Sequence, residues 1–309
     1  MQDVPVVMVH VEGLPERGHG RWATPLTAAA RAYGAIPPPA LVLLGIVSVQ
    51  VGAAVAKQLF ATAGAAGTVT LRLVLAAAVL LLIWRPSLRV DARTWLVVAG
   101  YGLVLGAMNL TFYQAIKHIP LGAAVTIEFL GPLAVAVLGS RRWLDGAWAL
   151  LAAAGVLLLT RVDGGLALPG VLFALCAAAC WAGYILMAAA LGSRTSDGGG
   201  LALAMVFGAV LALPFGVAEA GTALLDPAVL VVGGAVALLS SVVPYSLELE
   251  ALRRIPPRVF GILMSLEPAV AALAGLVVLH EALHPAQWAA VFCVVLASVG
   301  ATRTARPEG

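Results

Sequence analysis

Four ionisable side chains stand inside otherwise apolar stretches of this 309-residue chain: Lys57, Arg72, Glu128 and Glu267. A lysine or arginine can receive a carboxylate, and a glutamate can receive an ammonium or a proton. Gln50, Asn109 and Tyr113 offer hydrogen bonds, while Trp181, Tyr184, Tyr245 and Glu248 add aromatic and polar surface. A charge at the centre of a bilayer costs roughly 2.5–3.5 kcal/mol on insertion scales and is seldom kept without use. Glu128 is too deep and too short to reach an interface. Lys57 and Arg72 lie near the ends of apolar runs, where a long side chain either snorkels to the interface or turns inward to a ligand. Glu267 either stabilises a helix start or serves as a second acidic group.

The surroundings of these groups are a membrane protein's. Hydrophobic residues make up 62% of the chain, charged residues 11%, and mean hydropathy is +1.02. A soluble domain is about half apolar and a quarter charged. Apolar runs long enough to cross the hydrocarbon recur near 40–60, 67–84, 95–113, 121–139, 143–160, 168–191, 200–218, 227–247, 257–279 and 285–301. About 20 helical residues cross the bilayer core. The predicted fold is therefore an all-α integral membrane protein with ten transmembrane helices.

The chain also repeats itself. Lys117, His118, Ile119 and Pro120 lead into a run with Glu128 and Pro132; Arg253, Arg254, Ile255 and Pro256 lead into a run with Glu267 and Pro268. Both proline pairs are twelve residues apart. Each copy belongs to a set of five spans, and an odd number of spans inverts the next repeat. The predicted organisation is a disordered cytoplasmic tail at 1–39, a first five-helix repeat at 40–160, a second at 161–303 and a short cytoplasmic tail at 304–309.

Charge fixes an orientation for that arrangement. With the N-terminus inside, fourteen arginines fall on the cytoplasmic side, and only Lys117 and Arg161 fall outside. This satisfies the positive-inside rule and places both termini of a multi-pass membrane protein in the cytoplasm. Residues 1–39 lack an apolar core followed by a small-residue cleavage site, so they do not read as a signal peptide. The net charge of +3 is dispersed among loops, which argues against nucleic-acid binding. Cys176, Cys180 and Cys293 read as small packing residues, and Gly102 and Gly106 as a close helix contact. No phosphate-binding loop or dinucleotide fingerprint appears, so neither a cofactor nor direct use of ATP is expected.

One motif suggests an enzyme. His280, Glu281, Ala282, Leu283 and His284 spell HExxH, and Leu144, Asp145 and Gly146 spell the LDG of intramembrane zinc proteases. Pro285 disfavours helix at His284, and the topology puts the two motifs on opposite sides of the bilayer. One metal cannot be held by both, so no metal site is predicted.

Leu266, Glu267, Pro268, then His280, Glu281, Ala282, Leu283, Gln287 and Trp288 resemble the second EamA domain of the drug/metabolite transporter superfamily. Val49 to Phe60, Leu71–Arg72–Leu73 and Ile127–Glu128–Phe129 resemble its threonine/homoserine exporter branch. The resemblance covers about residues 40–303. It implies two inverted five-helix repeats around a cavity lined by spans one, three, four, six, eight and nine. It also implies export of a small amino acid across the inner membrane by proton antiport with alternating access. Carriage of another metabolite or drug is the alternative. On this reading Arg72 or Lys57 receives the substrate carboxylate and Glu128 its ammonium. Gln50, Asn109, Tyr113, Trp181 and Tyr245 complete the site, and Glu128 and Glu267 couple the proton. Glu281 reads as a helix cap.

Overall fold

The computed structural model describes residues 36–304 except 89, 139–142, 162–165, 193–198, 253 and 256. Among the described residues the structure is entirely helical, with no strand. The helices are α1 (Pro38–Gln58), α2 (Phe60–Trp84), α3 (Ala92–His118), α4 (Leu121–Glu128), α5 (Leu130–Leu138), α6 (Trp143–Arg161) and α7 (Leu168–Gly192). There follow α8 (Gly199–Ala220), α9 (Pro227–Ala237), α10 (Val243–Leu252), α11 (Pro257–Met264), α12 (Glu267–Leu279) and α13 (Pro285–Thr304).

Among the described residues, seven helical segments are long and apolar enough to cross a membrane: Pro38–Gln58, Phe60–Trp84, Ala92–His118, Leu168–Ala188, Gly199–Leu225, Pro227–Glu248 and Phe260–Leu279. Leu121–Val135, Gly146–Leu158 and Pro285–Ala301 are shorter apolar helices. Each apolar run read from the sequence carries helix. The expected tail at 1–39 lies almost wholly outside the described residues, as do Arg17, Arg21, Arg31, Arg89, Arg141, Arg142, Arg194, Arg253 and Arg306, which contribute to the charge asymmetry.

Prolines break the helices where the functional groups stand. Proline has no N–H to bond the carbonyl four residues earlier and its ring crowds that carbonyl. Pro132 thereby frees the carbonyl of Glu128, and α4 ends at Glu128 with a turn at Phe129. Pro268 acts likewise on Met264, and α11 ends at Met264 with turns at Ser265 and Leu266. Both breaks begin nine residues after the first proline of the repeated motif. Pro244 frees the carbonyl of Ser240, beside a π-helical turn at Leu238–Val242 that joins α9 to α10.

α1 lies against α10 and α12, α4 against α12, α2 along α8, and α3 between α7 and α8. Small residues permit this closeness. A Cβ on Gly102 would stand 2.1 Å from the carbonyl oxygen of Ala204, and one on Gly106 would stand 2.9 Å from Gly208 of α8. The Gly102/Gly106 pair is thus spent on a contact within the chain. We expect Gly102→Val to lower the thermal midpoint in detergent, at a cost of about 1–3 kcal/mol from overpacking. Gly234→Ala, with nothing within 4 Å, should leave the midpoint unchanged or slightly raised.

At the start of α3 the Asp91 carboxylate accepts from the Thr94 hydroxyl and backbone amide. These bonds hold its pKa below the ordinary carboxylate range. Cys176 is exposed on α7, while Cys180 and Cys293 are half-buried.

Candidate functional site

The proline breaks and the π turn converge on one cavity of about 600 Å³. Gln50, Arg72, Asn109, Glu128, Trp181, Tyr245 and Glu267 line it, so seven of the nine residues given a substrate or proton role from sequence are brought together, with Tyr184 and Glu248 beside them. The walls come from α1, α3, α4, α5, α7, the π turn, α10, α11 and α12, which belong to the six apolar runs expected, joined by Arg72 of α2 and by Ser298 and Ala301 of α13.

Arg72 is the best-held group. The sequence placed it near the start of a span at 67, but α2 begins at Phe60, with a left-handed φ of 66° at Gly64 interrupting the helix. Arg72 is therefore midway along α2 and buried. Its Nε donates to Ser241 Oγ at 3.2 Å, Nη1 to the Tyr113 hydroxyl at 3.2 Å and Nη2 to the Ser240 carbonyl at 2.7 Å. That carbonyl is the one Pro244 leaves free. The guanidinium also lies 5.6 Å from the centroid of the Tyr113 ring. Tyr113 is fully buried behind Arg72 and positions it without lining the cavity.

Glu128 lies at the end of α4, buried and facing the cavity. Glu267 opens α12 across the cavity, where its Oε1 accepts from Gln50 Nε2 at 3.0 Å. Asn109 Nδ2 donates to the Leu105 carbonyl at 2.9 Å. Trp181 stands edge-on to Phe129 at the α4 break.

Ser240 and Ser241 are functional-site candidates that the sequence reading missed, and Glu248, read there only as polar surface, joins them. Glu248 lines the cavity as a third carboxylate, and Ser240 lines it beside Arg72. The stretch Ser240–Ser241–Val242–Val243–Pro244 carried the signal, because a proline four residues after a serine frees that serine's carbonyl within a span.

Lys57 is elsewhere. Its ammonium pairs with the Glu281 carboxylate and donates to the Ile119 carbonyl at 3.2 Å, and it does not line the cavity. Glu281 Oε2 accepts from the Leu121 amide at 2.8 Å, so it caps α4, 160 residues away in sequence. Nearby, Glu219 pairs with Lys117 at 3.1 Å and accepts from the Ala66 amide at 2.6 Å, just beyond the Gly64 break. These contacts clasp the end of the bundle where the α1–α2, α3–α4 and α12–α13 connections meet. Side chains of Lys57 and Glu281 are 20% and 19% exposed. Glu281→Ala should cost more stability than Lys57→Met, because it also removes the cap of α4, worth about 1 kcal/mol. Thermal unfolding of the two variants checks the order.

The HExxH segment is not a helix. Residues 280–284 are irregular, and His280 is left-handed with φ of 57°. His284 Nδ1 accepts from the Ala286 amide while Gln287 Oε1 accepts from the His284 amide, a reciprocal cap for α13. The two histidines therefore do not share a helical face, as zinc ligation by this motif requires. Leu144–Asp145–Gly146 lies in the first turn of α6.

The sequence profile of the EamA-like transporter family matches residues 168–303. The threonine/homoserine exporter RhtA of Escherichia coli (strain K12) is 42% identical over 275 residues, covering 88% of this chain and 93% of the relative. RhtA of Salmonella typhimurium (strain SL1344) matches at the same identity and coverage. One solved crystal structure shares the fold with a TM-score of 0.61 at 20% identity, covering 86% of this chain and 98% of the other.

Proposed function

Because the chain belongs to the EamA-like transporter family, we propose that it exports small neutral amino acids of the threonine and homoserine kind across the inner membrane in exchange for protons. The observation that carries this reading is the pairing, in one cavity, of the buried Arg72 guanidinium with buried Glu128 and Glu267 carboxylates. A zwitterion presents a carboxylate to Arg72 and an ammonium to a glutamate, and Asn109, Gln50 and Ser240 remain for its hydroxyl. Proton and ammonium compete for the carboxylates Glu128 and Glu267, which is antiport in chemical form. Both relatives carry the name of threonine/homoserine exporter, which favours this substrate class over another metabolite.

Ten spans arranged as two inverted repeats, with both termini in the cytoplasm, accommodate the site. The matching proline breaks after Phe129 and Ser265 support the duplication. In this topology the clasp of Lys57, Glu281, Lys117 and Glu219 closes the outer end. The lining extends towards the inner end through Ala188, Glu248, Phe260 and Ala301. Such a state is ready to load from the cytoplasm, and rocking of one repeat against the other around the site is the alternating step.

The experiment is efflux of threonine and homoserine from preloaded cells expressing the chain, with and without a protonophore. Faster efflux than in control cells, abolished by the protonophore, is expected. Equal efflux, with the protein shown to be in the membrane, rejects the substrate assignment.

A further inference from the structure

Gln50 and Glu267 face each other with two of their four side-chain polar atoms unpaired. Both line the cavity and are only 3% and 7% exposed. Gln50 Nε2 donates to Glu267 Oε1, and the two remaining oxygens, Gln50 Oε1 and Glu267 Oε2, are buried with no partner among the described residues. An unpaired buried acceptor costs about 1–3 kcal/mol. Two of them on adjacent groups therefore point to a donor that the pair is built to take.

We propose that Gln50 and Glu267 form one seat that holds either a proton or the substrate ammonium, never both. A carboxylic acid and a primary amide can close a ring of two hydrogen bonds: amide N–H to carboxyl oxygen, and carboxyl O–H to amide oxygen. The first bond is in place. A proton on Glu267 Oε2 supplies the second by donating to Gln50 Oε1, and both unpaired atoms are then satisfied. When that O–H bond breaks, its electron pair stays on the carboxylate and the proton leaves to water. Two acceptors are then left side by side, and an ammonium with three N–H groups can donate to each. Loading with substrate thus requires unloading of the proton.

Gln50 is a positioning residue here, since it fixes Oε1 of Glu267 and leaves Oε2 for exchange. Other titratable groups bear on the seat from neighbouring helices: Glu248 and Tyr245 on α10 and Glu128 on α4. α2 contributes Arg72 to the same cavity, and Lys57, on α1 with Gln50, is tied to Glu281. The inference rests on the amino-acid reading above and deepens it by separating the roles of the acidic groups.

The test measures threonine affinity at acidic, neutral and alkaline pH on purified protein, together with protons released per threonine bound in weakly buffered solution. The wild type should bind more tightly as pH rises and release protons. Glu267→Gln should remain folded, because the new amide can donate to Gln50 Oε1. It should bind about tenfold or more weakly at alkaline pH, with a weaker pH dependence and fewer protons released per threonine than the wild type, the remainder being that of Glu128. Gln50→Leu should show a smaller loss and a shifted pH profile. Undiminished pH dependence and proton release in Glu267→Gln overturn the inference. If only Glu128→Gln removes them, the seat is wrong while antiport stands; if threonine does not bind the wild type, the amino-acid reading falls and the inference with it.

Discussion

Replacing Arg72 by leucine is expected to abolish transport while the protein still reaches the membrane. The guanidinium is the cation of the cavity, and the substrate carboxylate has no equivalent partner among the other described lining residues. A hydrogen bond to a charged group is worth about 1.5–3 kcal/mol, and truncating one member of a buried charge pair costs about 2–5 kcal/mol. The initial efflux rate at sub-saturating threonine should therefore fall about a hundredfold or more. Arg72→Lys should recover only part of this, because an ammonium cannot reproduce the fork that now holds Ser241, Tyr113 and the Ser240 carbonyl. Tyr113→Phe, which removes one of those acceptors and leaves the cavity wall in place, should produce a milder loss. Rates of the three variants, corrected for the amount in the membrane, check the order.

The second large effect is expected from Glu128→Gln. The substitution keeps the shape of the side chain and removes its charge, so the ammonium exchanges a charged partner for a neutral one. Half-saturation by threonine should rise about tenfold to a hundredfold. The sign of the pH dependence follows from the chemistry. A carboxylate binds ammonium only when it has lost its proton, so wild-type affinity weakens as pH falls. In Glu128→Gln the surviving dependence is that of Glu267. An unchanged half-saturation constant would remove Glu128 from the site, and competition by threonine against labelled homoserine gives the value.

Most of this architecture is legible in the chain because a membrane simplifies the code. Apolar runs give the helices, and isolated polar groups within them stand out against the background. The proline spacing told more than the duplication alone: Pro132 and Pro268 each free the carbonyl four residues back, which puts breaks beside Glu128 and Glu267. What the sequence hid was long-range pairing. Lys57 and Glu281 are 224 residues apart, and nothing local shows that Lys57 serves the clasp and not the cavity. Arg72 looked like a span-end residue because the small-residue stretch 61–66 separates the apolar runs 40–60 and 67–84, whereas α2 runs from Phe60 through a break at Gly64. Glu281 reads from sequence as a helix cap, but that the helix is α4, 160 residues away, depends on where Leu121 lies in space.

The central claim is exchange of an amino acid for a proton, and its most direct test uses purified protein in liposomes with an acidic interior and an alkaline exterior containing labelled threonine. Protons leaving through the protein should drive threonine in, above its external concentration, and a protonophore should collapse the accumulation. Threonine that only equilibrates, or enters no faster than into protein-free liposomes, contradicts the account.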